Sequence, residues 1–161
     1  MRAMRACPAP IVLGIHGAAV AGGCALLGGA DVVVADRNTK LGYPVVKIGV
    51  SPAVSSPFML ASMHPGVVRN RLVDTDLVTA ERAFDLGMVH ELADSPELMR
   101  ERALEISASL AAKPGLGCIA TKQWLNEISE VDDERASAGL DASLELTGGE
   151  EERTMLAALW G

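Results

Sequence analysis

The stretch from Ala9 to Leu26 constrains this chain more than any other. An apolar run, Ile11 to Leu13, leads through Gly14, His16 and Gly17 to Gly22-Gly23-Cys24. The run suits a strand covered on both faces, and the two glycines suit a tight entry into a helix. A strand that feeds a glycine-opened helix presents unpaired backbone N–H groups at the positive end of the helix dipole, so the segment outlines an anion or oxyanion site. The same stretch bears on export. Met1-Arg-Ala-Met-Arg5 followed by apolar residues resembles a secretory signal, and Ala21-Gly-Gly-Cys24 resembles a lipoprotein cleavage site. His16 and the many glycines make a poor membrane helix, so the reading adopted is a core element of a cytoplasmic protein without a membrane partner.

Further strands are expected at Asp31 to Ala35 and near Lys40 to Gly42, followed by Tyr43-Pro44 and by Gly49 and Pro52. Ser55 to Met63 reads as a helix stopped by His64-Pro65. Thr79 suits the N-cap of a helix over Ala80 to Leu86, with Gly87 closing it and Met88 to Leu92 as a short strand. Asp94-Ser-Pro-Glu opens a helix in which Leu98, Ala103, Ile106 and Leu110 recur at helical spacing, until Lys113-Pro114 breaks it. Helices follow over Leu116 to Ile128 and Asp132 to Leu146, and after Gly148-Gly149 a last one carries Trp160. Glu150-Glu-Glu152 suits the solvated first turn of that helix. The chain thus divides into an α/β part, 1–92, and a helical part, 93–161.

With 161 residues, 49% of them hydrophobic, the chain can build one proper core. A net charge of −7 argues against nucleic acid, which needs clustered Lys and Arg. Cys7, Cys24 and Cys118 form neither a disulfide framework nor a metal-ligand spacing, so no metal or cofactor is expected. Cys24 reads as a small buried packing residue rather than a nucleophile. Among the histidines, His16 is expected to face the core in a hydrogen bond, His64 to lie at the surface or cap a helix, and His90 to be structural.

Pro10, Gly17, Gly22, Gly23, Cys24, Leu26, Asp31, Gly42, Pro44, Gly49 and Pro52 fall in one register that resembles the enoyl-CoA hydratase/isomerase (crotonase) superfamily. Leu77 to Leu92 is similar to the same family's later helix and exit strand. The resemblance implies a ββα spiral followed by a helical tail that assembles trimers or hexamers, with an acyl-CoA thioester as substrate or ligand. The chain would be the C-terminal portion of such a fold: a truncated gene, a misplaced start or half of a split protein. The first spiral turns and the loop with a second oxyanion N–H would lie before it.

By this resemblance the Gly22 N–H is the remaining oxyanion donor, and Gly23, Tyr43 and Pro44 belong to the acyl pocket. Tyr43 either donates its hydroxyl to an acyl oxygen or, the favoured reading, packs its ring and turns the hydroxyl to water. The family's two glutamates are absent, because Ala25 and Val45 occupy their positions. Neither side chain transfers a proton, so little or no hydratase activity is expected. The family's last helix often carries a basic pair that reaches CoA; Thr154 to Trp160 lacks it, and Arg2, Arg5, Lys40 and Lys47 remain as cation candidates. The alternatives are isomerisation, decarboxylation or thioester hydrolysis using residues of a missing N-terminal half, or a non-catalytic oligomerisation module.

Overall fold

A computed structural model describes residues 1–129 and 131–160. After a short helix α1 (Arg2–Ala6), strand β1 (Val12–Ile15) reaches a corner at Gly17, whose φ of 67° is left-handed, and continues as β2 (Ala18–Val20). Sequence periodicity missed α1 and β2. The three residues of β2 are too few to show a period of two, and only the Gly17 corner separates them from β1. The chain then enters α2 (Gly22–Ala25) and a 3₁₀ turn, Leu26–Gly29. Strand β3 (Val32–Asp36) turns through Arg37 to Thr39 into β4 (Lys40–Gly42).

The two strand pairs stack. β1 lies parallel to β3, with Val12 opposite Val32, and β2 lies parallel to β4, with Ala18 opposite Lys40. The consecutive strands β1–β2 and β3–β4 thus each contribute one strand to each of two three-stranded sheets. These are completed by β5 (Val78–Thr79), antiparallel to β4, and β6 (Glu91–Ala93), parallel to β3. β6 begins later than the expected Met88, because Met88 and Val89 turn back to bond the Ala83 carbonyl.

Helices α3 (Ser56–Ser62) and α4 (Pro65–Val73) are separate. Pro65 ends the first, as expected, but it also opens the second: a proline at N1 lacks only an N–H that would be unpaired there anyway. His64 caps α4 by accepting the Gly66 N–H at 3.2 Å. Thr79 caps α5 (Ala80–Asp85). The tail comprises α6 (Pro96–Ala111), α7 (Gly115–Ile128), α8 (Asp133–Leu144) and α9 (Glu150–Trp160).

β3 is buried on both faces, as its unbroken apolar run requires. Val33 and Ala35 join the main core with Leu27, Leu41, Met59, Met88 and Val89. Val34 is fully buried on the opposite face, where α6 packs on β1 and β3. That approach is close: a Cβ on Gly14 would stand 2.4 Å from the Met99 sulfur. Within α6, Ala103, Ile106 and Leu110 are half-buried as expected, but Met99 takes the buried position expected of Leu98, which is exposed.

The tail is tied to the first residues of the chain. Lys122, 6% exposed, donates to the carbonyls of Met4 and Ala9 and to Asp31 Oδ2, at 3.0, 2.9 and 2.7 Å. Asp31 Oδ2 also accepts the Ile11 N–H at 2.7 Å, so one carboxylate organises the entry to both β1 and β3.

Candidate functional site

The glycine turn is built from the end of β2. Ala21 donates its N–H to the Gly42 carbonyl at 2.9 Å, which fixes the turn beside the end of β4. Its backbone takes φ 49° and ψ −115°, the one non-glycine residue with positive φ among those described. The Ala25 N–H closes α2 onto the Ala21 carbonyl at 2.9 Å. The N–H groups of Gly22 and Gly23 precede that bond and have no carbonyl one turn back within the helix. A Cβ built on either glycine would meet nothing within 4 Å, and both residues are exposed. No neighbour within this chain accounts for two helix-weakening glycines, so the space in front of them is open to an incoming group.

Behind the turn the surroundings are apolar. Cys24 is 1% exposed, and burial pushes its thiol up to about 11, against the opposing influence of the Gly42 N–H and the Arg71 charge. Such a thiol is a packing group. Ala25 is buried in the main core, and Val45, in the 3₁₀ turn Pro44–Ile48, packs against that same cluster. Both positions thus face the same apolar core, and neither carries a proton-transfer group. Gly49 ends the turn with a left-handed φ of 71°, and α9 lies so close that a Cβ there would stand 3.0 Å from the Glu152 nitrogen. The acidic run is thus only partly a solvated face: Glu150 and Glu151 are exposed, while Glu152 accepts the Gly148 N–H.

Three expectations need correction. Tyr43 is 5% exposed, and its hydroxyl shares a 2.7 Å hydrogen bond with Ser55 instead of facing water. Ser55 also lies 3.0 Å from the Pro52 carbonyl; with one hydrogen per hydroxyl, the chain that satisfies both runs from Tyr43 to Ser55 to Pro52. Tyr43 therefore has its donor in use. His16 is exposed rather than core-facing, because the corner at Gly17 turns it outward beside Glu97. His90 precedes β6 instead of lying within a strand, and its Nδ1 accepts the Val33 N–H at 2.9 Å, a structural role.

The cation candidates separate. Arg2 bonds Ser137 and pairs with Asp133 of α8, and Arg5 bonds Ser129 at the end of α7. Lys40 opens β4, next to the strand that feeds the turn, and Lys47 follows Val45 and pairs with Asp76 at 3.7 Å. Sequence reasoning did not find Ser55, nor Arg71, a 7% exposed guanidinium that holds the Asp74–Asp76 loop. Ser55 reaches Tyr43 twelve residues back and Arg71 is buried by the fold around a local loop, and residue type alone signals neither. Among the described residues no group of His, Cys, Asp and Glu has metal-site geometry, and no helix is long and apolar enough to cross a membrane.

Stacked two-strand turns wrapped by helices, with a glycine-opened helix at a strand end, define a mixed α/β protein whose open backbone donors face outward. The family described as Enoyl-CoA hydratase/isomerase matches residues 1–154, and the chain belongs to that family. It is 29% identical to a crotonyl-CoA hydratase of Syntrophomonas wolfei over 84% of this chain and 52% of that protein. It is 31% identical to a (7aS)-7a-methyl-1,5-dioxo-2,3,5,6,7,7a-hexahydro-1H-indene-carboxyl-CoA hydrolase of Rhodococcus jostii over 91% of this chain and 57% of that protein. The chain thus spans about half the length of these curated relatives. A crystal structure of an enoyl-CoA hydratase/isomerase from Pseudoalteromonas atlantica superposes with a TM-score of 0.90 at 19% identity, covering 99% of this chain and 64% of that one. An enoyl-CoA hydratase from Mycobacterium avium gives 0.88 at 23%, over 98% and 62%. At these identities the structures establish the fold.

Proposed function

We propose that this chain handles acyl-CoA thioesters, with the Gly22 N–H as hydrogen-bond donor to the thioester oxygen and with little or no hydratase activity. The observation that carries the reading is the open turn itself: two glycines whose N–H groups lack helical acceptors and whose Cβ positions meet no atom of this chain. One such donor, placed where negative charge develops, contributes about 3 kcal/mol to a transition state. Gly23 and Pro44 would border the acyl group, and Tyr43 supports the wall through Ser55. Hydration also needs a base for water and an acid for the α-carbon. The apolar pair Ala25 and Val45 supplies neither, which removes about 10²-fold or more for each missing group.

Isomerisation, decarboxylation or thioester hydrolysis, using residues outside this chain, is the second reading. The resemblance to the Rhodococcus jostii CoA hydrolase and to a like-named Mycobacterium tuberculosis protein, at 31% and 32% identity, favours hydrolysis within it. Homo-oligomerisation as a trimer or hexamer is proposed alongside, with residues 1–92 as core and 93–161 as assembly region. Leu116, Trp124, Ile128, Leu144, Leu159 and Trp160 are all exposed on α7 to α9, an apolar area that suits a protein contact. If that contact is the chain's whole role, it is a non-catalytic oligomerisation module.

Two measurements test this. Loss of crotonyl-CoA absorbance should be undetectable, whereas turnover near that of a competent hydratase refutes the reading of Ala25 and Val45. Equilibrium binding of butyryl-CoA should be seen and should weaken in Gly22→Pro, with folding checked by circular dichroism. Failure of wild-type protein to bind refutes thioester handling, and light scattering that then shows a defined oligomer supports the module.

A further inference from the structure

A second cavity, of about 420 Å³, lies between α1, α3, α7 and the start of β3, and shares no residue with the Gly22 turn, Ala25 or Tyr43 to Val45. Its floor includes Leu27, Val33 and Met88, each 1% exposed. Its polar wall holds Arg5, His90, Asn126 and Ser129. This volume is within the range of small-molecule sites.

Arg5 is half-buried, and desolvation pulls its guanidinium below the ordinary value while Asp31 opposes the shift. It remains a cation. Among the described residues it pairs with no carboxylate. Its side-chain hydrogen bond goes from Nη2 to the Ser129 hydroxyl, and its other four N–H donors meet no acceptor among the described residues. Asn126 donates to the Arg5 carbonyl at 2.8 Å and so holds the arginine backbone against α7. His90, also a lining residue, uses Nδ1 to accept the Val33 N–H, so in the neutral ring the proton sits on Nε2.

The second cation in the wall, Lys122, is already consumed by Asp31 and two carbonyls. Among the described lining residues the unbalanced charge is therefore a single positive one. A planar guanidinium fork matches a carboxylate, the Asp31 carboxylate nearby disfavours a dianion, and the apolar floor favours a hydrocarbon body.

We propose that this cavity binds a small aliphatic monocarboxylate, its carboxylate on the Arg5 fork and its chain on Leu27, Val33 and Met88. The site is separate from the turn assigned to thioester handling, and its test does not depend on that assignment.

The experiment is calorimetric titration of the full chain with sodium hexanoate, with 1-hexanol and methyl phosphate as comparison probes. Saturable hexanoate binding is expected, at least about tenfold tighter than either comparison probe. Arg5→Met should weaken it at least about tenfold, whereas Arg2→Met, outside the cavity, should leave it unchanged. Because Arg5→Met removes a packed side chain, Ala61→Leu provides a second variant that keeps the arginine and fills the cavity, and it should also abolish binding. Absence of saturable binding, equal affinity for hexanol or methyl phosphate, or unchanged hexanoate affinity in folded Arg5→Met or in Ala61→Leu each overturns the proposal.

Discussion

Replacing Ala21 by glycine should stabilise this protein, against the usual expectation for adding a glycine. Ala21 holds φ 49° and ψ −115°, a region in which Cβ crowds the neighbouring peptide groups and which glycine enters freely. A non-glycine residue held there costs about 1–3 kcal/mol. Glycine adds back about 0.5–1 kcal/mol through the greater freedom of the unfolded chain. The net expectation is a gain of about 1 kcal/mol. For a chain of this size that raises Tm by about 2–4 °C. The backbone is held by the Ala21 N–H on Gly42 and the Ala25 N–H on Ala21, and both bonds survive the substitution. Ala21→Val supplies the opposite sign, because a β-branched side chain is worse at positive φ. Urea denaturation followed by circular dichroism, with thermal melts in parallel, measures both variants. An Ala21→Gly variant no more stable than wild type, or an Ala21→Val variant equal to it, would refute the strained turn and with it the geometry assigned to Gly22.

Lys122→Met should cost about 2–4 kcal/mol by urea denaturation, because it strands the Asp31 carboxylate and two carbonyls at once; a loss below about 1 kcal/mol would show that water replaces the ammonium. Hydrogen bonding to Arg102 holds Glu91 below the usual glutamate range, so its contribution is present at neutral pH and is lost as pH falls through that depressed value. Glu91→Gln should thus lower stability at pH 7 by about 0.5 kcal/mol, given the exposure of the pair, and the gap from wild type should close in acid; a gap that widens in acid contradicts the sign. A thiol reagent at pH 8 should modify Cys7 and Cys118 in the folded protein and reach Cys24 only on unfolding, since Cys24 is buried with its thiol pushed to about 11; peptide mass mapping decides it.

The sequence alone determined the elements whose cause is local. The β3 run, the Thr79 cap and the Lys113-Pro114 break follow from side-chain chemistry within a few residues, and the structure shows each. The register of Gly22, Cys24, Gly42 and Pro44 led to the family for the same reason: a tight strand-to-helix turn restricts residue type at each step. What depended on distant segments was not legible. The corner at Gly17 turned His16 outward, and Ser55 took the Tyr43 hydroxyl across twelve residues. Lys122 reached Met4, Ala9 and Asp31 across more than ninety. Only tertiary structure could place Arg5 in a cavity with His90 and Ser129, or set Ala25 and Val45 against one apolar core. A side chain's type limits which bonds it can make, but the folded chain decides which partners come within reach.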